Sequence, residues 1–238
     1  MGNLEKNHWY FVAKRKFLDV VLEKYVKNNS RVLDVGCGTG AVLEQMAAKN
    51  FLVSGIDMSD TALEYCRKKG FEVDKGFADK MPYSDNTFDI VFALDVLEHL
   101  ENPELAVREV KRVLKDGGLF VATVPAHQWL WSYHDDSLHH KKRYNKNDLT
   151  KLLSKELQVA TVSWIHAFIL LPAVVLRLLK KFVGNKNKDS DVKESSVIVN
   201  KVMSVVYFLE ISVFKFFHNY LPFGLSLLAV AKKQDDPK

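Results

Sequence analysis

A glycine-rich stretch directly after a short apolar run is the part of this sequence best suited to binding a ligand. It reads Asp34-Val-Gly-Cys-Gly-Thr-Gly40, with a helical pattern beginning at Ala41. Glycine permits positive φ and lets a ligand lie on the main chain, and the helix start behind it supplies unpaired N–H groups. The glycines are spaced G-x-G-x-G and not G-x-G-x-x-G as in dinucleotide sites. An acid beside the loop is a poor neighbour for a diphosphate and a good one for an ammonium group.

These features favour S-adenosylmethionine as the ligand, and the stretch resembles motif I of the class I S-adenosylmethionine-dependent methyltransferases. The resemblance covers residues 28–166 and the end of the chain, and it is closest to the branch that holds quinone-biosynthesis and other small-molecule methyltransferases. It implies an α/β fold, a Rossmann-like doubly wound sheet of seven strands with an antiparallel last strand. An NAD-dependent oxidoreductase on a similar sheet is the alternative enzyme, and the glycine spacing and Asp34 argue against it.

A second predicted strand, 51–57, ends in Asp57, whose carboxylate can accept two hydrogen bonds from ribose hydroxyls. Capping of the next helix is the alternative role, but polar residues just after Asp57 can provide that cap. In the similar family the following loop commonly has an acid for the adenine amino group where this chain has Phe77, so Asp79 and the backbone of Ala78 are expected to serve instead. The predicted cofactor-binding residues are Asp34, Gly36, Cys37, Gly38, Gly40, Asp57, Met58, Ala78, Asp79, Leu94 and Asp95.

Two carboxylates and an imidazole follow the fourth predicted strand in Asp95-Val-Leu-Glu-His99. Such a group can converge on one divalent ion, and some resembling methyltransferases with Glu-x-x-Glu-His at this place bind a metal. Hydrogen bonds that hold the loop are the favoured role of Glu98 and His99, so no residue is assigned to a metal. Asp95, Glu98 and His99 are the ligands considered for a divalent cation.

A segment rich in His, Asp and aromatic residues, 125–144, follows the fifth predicted strand and must cross the same edge of the sheet as the glycine loop. A histidine beside an aspartate, as at 134 and 135, can be an oriented general base. The basic triplet 141–143 can clamp a phosphate or carboxylate, although each of these residues can instead be structural. The predicted catalytic residues are His134, Asp135 and His140.

Apolar runs predict the seven strands that position these residues. The fourth is apolar throughout, as in a parallel sheet buried on both faces, and ligands bind at the carboxyl ends of such strands. The predicted strands are 32–35, 51–57, 71–76, 86–95, 119–124, 158–164 and 224–231. The predicted domains are an N-terminal helical lid at 1–27, an S-adenosylmethionine-binding domain at 28–166 and 222–234, and an apolar helical insertion at 167–221. The aromatic start of the first helix is either part of that lid or a structural staple.

The predicted insertion contains two apolar helices, the first beginning at 165 and the second covering 197–217, joined by a polar linker at 184–196. The first is shorter than the about 20 apolar residues that span a bilayer. Amphipathic helices with flanking lysines can lie in a membrane interface. The pattern indicates peripheral membrane contact or a lipid-linked substrate, with a cap on the domain or a dimer face as the alternative.

The composition of the 238-residue chain is that of an ordinary globular domain, with 47% hydrophobic and 26% charged residues. Its net charge of +5 comes from scattered lysines and arginines, so a nucleic-acid partner is not expected, whereas an anionic membrane is compatible. Cys37 and Cys66 form no C-x-x-C pair, and the first residues lack the layout of a signal peptide. A cytoplasmic location, at the inner face of the membrane where membrane contact is made, is expected.

The sequence therefore predicts an enzyme that moves a methyl group from S-adenosylmethionine to a small or lipid-linked acceptor, at oxygen in preference to carbon or nitrogen. A catalytically silent protein that keeps the cofactor fold and binds a partner through its apolar helices is the alternative from another class. The acceptor and the oligomeric state do not follow from the sequence.

Overall fold

A single mixed β-sheet organises the computed structural model, which describes residues 7–25, 29–175 and 196–235. Its strands are β1 (Arg31–Val35), β2 (Leu52–Asp57), β3 (Glu72–Lys75), β4 (Phe88–Leu94), β5 (Leu114–Pro125), β6 (Gln158–Ile165) and β7 (Ser226–Lys232). The strand order is β3-β2-β1-β4-β5-β7-β6. Neighbours are parallel except for β7, which is antiparallel to both β5 and β6. The predicted doubly wound sheet with an antiparallel last strand is confirmed.

Helices cover both faces of this sheet. They are α1 (Trp9–Tyr25), α2 (Ala41–Ala47), α3 (Asp60–Lys68), α4 (Pro103–Val113), α5 (Tyr133–Ser137), α6 (Lys146–Leu153) and α7 (Val197–Phe216). The second predicted apolar helix corresponds to α7, which lies between β6 and β7 in the chain. The first is helical at 170–175, and its remainder and almost all of the predicted linker lie outside the described residues, as does 1–6 of the predicted lid.

The central strands are apolar throughout because both of their faces are buried. Side chains alternate between the two faces along a strand. Leu33 and Val91 belong to the core on the side of α4 and α6, whereas Val32 and Ile90 belong to the core on the side of α1 and α7. The first and last of these helices, α1 and α7, therefore pack on the same face of the sheet.

The carboxyl ends of β4, β5 and β6 meet at one edge, and each is followed by a strained residue. Asp95, His127 and His166 lie just after these three strands with φ of 56°, 63° and 61°. Non-glycine residues with positive φ are uncommon, and they cluster at ligand sites and other functional positions. This edge, which also receives the glycine loop after β1, is where the candidate site lies.

Candidate functional site

The glycine loop presents bare main chain at the carboxyl end of β1. Gly36, Gly38 and Gly40 have φ of 72°, 52° and 82°. A Cβ on Gly36 would lie 2.7 Å from Cγ2 of Val96, and a Cβ on Gly40 would lie 2.9 Å from Sγ of Cys66. Backbone conformation and the available space both exclude side chains there. The loop therefore presents main chain without side chains to a ligand, while the N–H groups of Gly36, Cys37, Gly38 and Gly40 bond to oxygens of the protein.

Asp57 lies at the end of β2 beside this loop. Its Oδ2 accepts the N–H of Gly38 at 2.9 Å and its Oδ1 accepts the N–H of Ser59 at 2.8 Å. The side chain of Ser59, and not that of Asp57, caps α3 by accepting the N–H of Ala62 at 3.3 Å. Asp57 is half-buried, so its carboxylate retains access to the edge where a ribose would be held.

Asp34 and Cys37 are both buried, at 3% and 5% exposure. Asp34 shares the face of β1 with Val32, on the side that α1 covers. Burial and the neighbouring Asp34 carboxylate raise the pKa of the Cys37 thiol, which is therefore neutral. Cys37 contributes main chain and volume to the loop and no thiolate.

An exposed apolar pair follows the neighbouring strands β2 and β3. Met58 is 66% exposed and Phe77 is 60% exposed, and their strands pair through Asp57 and Lys75. Ala78 is buried and Asp79 is exposed on the same loop. Large apolar side chains exposed beside a bare loop suit an adenine ring. Phe77, which occupies the place where the similar family commonly has an acid, thus offers an apolar surface to the ring.

Leu94 and Asp95 end β4, and the carboxylate of Asp95 is fully engaged by protein groups. Its Oδ2 forms an ion pair with Nζ of Lys14 on α1, and its Oδ1 accepts the hydroxyl of Thr123 at 2.7 Å. Burial opposes ionisation, yet the Lys14 charge and these hydrogen bonds hold the pKa of the Asp95 carboxyl below its usual value. Leu94 is half-buried beside it. Asp95 therefore fastens α1 over the edge of the sheet.

The structure groups a set of possible cation ligands that differs in one residue from the set considered in the sequence. Glu98, His99 and His140 each place one ligand atom within 4.8 Å of the others, whereas a cation on Asp95 would have to displace Lys14. Glu98 is fully buried, and neither of its carboxylate oxygens has a hydrogen-bond partner among the described residues. Burial and the charge of Asp95 raise its pKa well above the usual value. His140 thus takes the place of Asp95 in the candidate set.

Asp135 is the centre of a buried network formed with His140 and Arg143. Nε and Nη2 of Arg143 donate to its two oxygens at 2.8 and 3.0 Å, and Nδ1 of His140 lies 2.9 Å from Oδ1. Burial opposes ionisation, but the hydrogen bonds from His140 and Arg143 hold the pKa of the Asp135 carboxyl well below its usual range. Asp135 is completely buried, whereas His134 is half-buried on α5. The predicted role of Asp135 in orienting His134 as a general base therefore stays a prediction, whereas the contacts of Asp135 with His140 and Arg143 hold the segment together.

Within the predicted basic clamp at 141–143, the prediction is wrong for Arg143, whose guanidinium is bonded inside the protein. Arg143 is 7% exposed and, besides Asp135, donates from Nη1 to the carbonyl of Ala126 at 3.0 Å. Lys141 pairs with a carboxylate on the neighbouring loop at 2.6 Å. Because the Arg143 guanidinium forms its hydrogen bonds inside the protein, it holds the segment 125–144 in place and does not face a substrate.

The sequence missed a buried polar group between α1 and the ends of β4 to β6. His166 is completely buried directly after β6, and its ring stacks on that of Tyr10 at 4.9 Å between centroids. Lys14 and Thr123, on the two sides of Asp95, complete the group. The available signals were single polar residues inside apolar runs, a lysine in an aromatic helix and a histidine at the start of an apolar stretch.

One helix of the described residues, α7, is long and apolar enough to cross a membrane by length and composition. It has a buried side, with Tyr207, Glu210 and Phe214, and an outer side that faces away from the sheet. A contiguous exposed apolar surface is unusual and marks an interaction site. We define the outer face of α7 by Val197, Ile198, Val202, Val205, Phe208, Leu209 and Phe216, which are 52–77% exposed.

Comparisons with known proteins agree with this geometry. Residues 33–122 match a family model described as a methyltransferase domain. Over 98 residues the chain is 37% identical to the ubiquinone biosynthesis O-methyltransferase of Maricaulis maris, which is 38% of this chain and 39% of that protein. The chain thus spans about two-fifths of the length of the curated relatives it matches.

Solved structures share the fold along nearly the whole chain. Protein BH2331 of Bacillus halodurans C-125 superposes with a TM-score of 0.63 at 21% identity, covering 92% of this chain and 99% of that one. The [4+2]-cyclase SpnF superposes with a TM-score of 0.60 at 20% identity, covering 93% and 81%. At these identities the likeness concerns the fold alone, and the fold also serves a protein named for a different reaction.

Proposed function

We propose that this chain, which carries a class I S-adenosylmethionine-dependent methyltransferase domain, moves the methyl group of S-adenosylmethionine to a small-molecule acceptor. The observation that supports this most is the glycine loop, whose bare main chain lies beside the half-buried carboxylate of Asp57. The residues fit a nucleoside, because Asp57 can accept hydrogen bonds from the ribose, and Met58 and Phe77 can pack against the adenine. When bound, the cofactor supplies an activated methyl group on a sulfonium.

The chain's own residues then have to align two groups and exclude water. Methyl transfer from a sulfonium is an in-line displacement, so most of the rate acceleration comes from positioning. The ion pair between Lys14 and Asp95 holds α1 across the edge of the sheet, which supports the role of this helix as a lid. A closed lid lowers the local dielectric and prevents hydrolysis. No covalent intermediate on the protein is needed.

We further propose an oxygen acceptor that is small or lipid-linked. The matched relatives are named ubiquinone biosynthesis O-methyltransferases, and the outer face of α7 offers an apolar surface next to the lid. Trp9 of α1 stacks on Tyr207 of α7 at 5.6 Å between centroids, so the two helices are neighbours. A cytoplasmic protein at the inner face of a membrane would present lid and apolar face to the same lipid surface.

A catalytically silent binding protein is the second candidate, because the outer face of α7 offers an exposed apolar surface to a partner. An NAD-dependent enzyme is the third. Calorimetry with S-adenosylmethionine, S-adenosylhomocysteine and NAD, followed by product detection with quinone, phenolic and polyprenyl-linked extracts, separates the three. We expect micromolar binding of the two sulfur nucleosides, no heat with NAD, and methylated product. Binding without product in every extract would favour the silent protein, and binding of NAD alone would overturn the proposal.

A further inference from the structure

His166 is a buried imidazole with one nitrogen that the protein leaves unpaired. It lies directly after β6 at the carboxyl edge and is completely buried. Nδ1 lies 2.9 Å from the hydroxyl oxygen of Tyr207, whereas Nε2 has no hydrogen-bond partner among the described residues. A buried polar atom without a partner destabilises the fold, because it has lost its bonds to water and gained none. Such a cost in a strained residue, with φ of 61°, points to a ligand that provides the missing partner.

The buried side of α7 holds this imidazole in place. Tyr207 meets Nδ1, and one turn further along the helix Glu210 accepts the N–H of Ala167 at 2.8 Å and that of Phe168 at 3.3 Å. Burial raises the pKa of the Glu210 carboxyl despite these hydrogen bonds. Three residues of the loop after β6 are thus fixed by two side chains on one face of α7, so the direction of Nε2 is set by the fold.

Charged and titratable groups face His166 from every element packed around it. Lys14 and Tyr10 come from α1, Asp95 from the end of β4, and Tyr207 from α7. Burial and the positive charge of Lys14 lower the pKa of His166 to about 3, against a smaller opposing effect of Asp95. The imidazole is therefore neutral across the physiological range, so its Nε2 carries a free lone pair that accepts a hydrogen bond, and in this closed, ligand-free arrangement it is a weaker base than an exposed histidine.

We propose that Nε2 of His166 hydrogen-bonds the acceptor's hydroxyl and takes its proton during methyl transfer. This role rests on the proposed function and names the residue that serves its chemistry. The tautomer that it requires has the proton on Nδ1, donated to the oxygen of Tyr207. His166 thus replaces His134 as the general base of this chain.

The step balances in atoms and charge. The acceptor oxygen forms a bond to the methyl carbon while the bond from that carbon to sulfur breaks, and the bond pair stays on sulfur, which becomes a neutral thioether. The hydroxyl proton moves to Nε2. One positive charge leaves the sulfur as another appears on the imidazole, so the net charge buried at this edge is unchanged. The imidazolium then releases its proton to water when the site opens.

The acceptor reaches His166 only when the first turn of α1 moves, because the ring of Tyr10 lies on the imidazole. The proposed lid and the proposed base are therefore coupled. A closing helix that brings an aromatic ring against the base also removes water from it, which keeps the imidazole neutral until the acceptor is in position.

The test compares the wild type with His166→Asn, using catechol and the more acidic 4-nitrocatechol as acceptors. Asparagine tolerates positive φ, and its amide can bond Tyr207 in place of Nδ1, so the substitution removes Nε2 with little other change. His218→Asn is the matched control, because His218 is exposed beyond α7 and has φ of 55°. Melting temperature and S-adenosylhomocysteine affinity are measured on all proteins to establish folding.

We expect kcat on catechol to fall about 10²–10⁴-fold in His166→Asn, with unchanged affinity for S-adenosylhomocysteine and no effect of His218→Asn. Only the ionised phenol reacts without a base, so log kcat of the variant rises with pH at unit slope up to the phenol's pKa. The wild type stays flat over the same range, and 4-nitrocatechol is impaired less than catechol. If His166 were merely structural, the substitution would lower kcat equally on both substrates and leave the pH profile flat.

Tyr207→Phe provides a second variant should His166→Asn fail to fold. It keeps Nε2 but removes the group that sets the tautomer, so we expect a smaller loss of kcat and a pH profile that stays flat. A rate equal to that of the wild type in both variants would overturn the proposal. Wild-type protein that binds S-adenosylmethionine but methylates neither phenol would also overturn it and leave the proposed function standing, whereas failure to bind the cofactor would overturn the proposed function itself.

Discussion

Lys14 of α1 forms an ion pair with Asp95 at the end of β4, and this pair fastens the N-terminal helix to the carboxyl edge of the sheet. Lys14 is 6% exposed. Burial opposes its charge, but Asp95 raises the pKa of its ammonium above the usual value. The pair therefore stays ionised in the folded protein, although one of its members comes from α1, the helix that we propose as a lid.

Lys14→Met should destabilise the protein by about 3 kcal/mol, because it leaves the Asp95 carboxylate without its partner. Denaturant unfolding measures the loss. The double variant Lys14→Met, Asp95→Leu should recover much of it, since removal of both charges eliminates the unpaired one. Lys16→Met is the control on the exposed side of the same helix. A single variant as stable as that control would show that the pair contributes nothing.

Asp57→Asn should weaken S-adenosylmethionine and S-adenosylhomocysteine to a similar extent, because the ribose is common to both. Hydrogen bonds to a charged group contribute about 1.5–3 kcal/mol, so the dissociation constant measured by calorimetry should rise about 10–150-fold. Asp60→Asn is the control, since Asp60 is exposed and forms a surface ion pair with Lys75. Equal affinities for the wild type and Asp57→Asn would remove the ribose role of this acid.

Acid should destabilise the protein over a window set by His166. Its pKa is about 3 in the folded state and about 6.5 in an unfolded chain. The unfolded state therefore binds the proton first, and stability that is complete above pH 6.5 is lost as the pH falls toward 3. Asp135, whose pKa is depressed when folded, adds a further loss below about pH 4. Chemical denaturation at several pH values should show His166→Asn lacking the first of these losses.

A divalent cation held by Glu98, His99 and His140 would give the Glu98 carboxylate the partner that it lacks. Nitrogen and oxygen ligands of this kind suit Zn²⁺, and the bond from His140 to Asp135 orients the imidazole for it. We expect Zn²⁺ to raise the melting temperature of the wild type and not of Glu98→Gln. His139→Ala alters an exposed neighbouring histidine as the control. An identical response of wild type and Glu98→Gln would exclude this set.

The outer face of α7 should bind anionic vesicles. The double variant Val205→Lys, Phe208→Lys places two charges at its centre, and flotation should show wild-type protein with the lipid and the variant in the soluble fraction. Leu105→Lys, at an exposed apolar position on α4, is the control. Wild-type protein that stays soluble at low salt and forms a dimer, lost in the double variant, would assign this face to a second copy of the chain.

The sheet could be predicted from the sequence because buried parallel strands are short apolar runs between turn signals, and the closely spaced glycines mark a loop where side chains are excluded. The contacts that single side chains make could not be predicted in this way. Residues 134 and 135 are neighbours in the chain, but successive residues on a helix point in different directions. Asp135 instead meets Arg143, eight residues on. His166 was missed because its importance depends on α1 and α7, which approach it only in the folded chain.

The two sides of α7 have a joint consequence for control of the proposed reaction. The side that touches the core carries Tyr207 and Glu210, which aim the imidazole, and the opposite side is available to lipid or protein. A partner that binds the outer face of α7 can therefore shift the helix that positions His166. If the proposed base is correct, catalysis and docking are thermodynamically linked through one helix, so protein bound to a membrane or partner should differ in kcat from free protein.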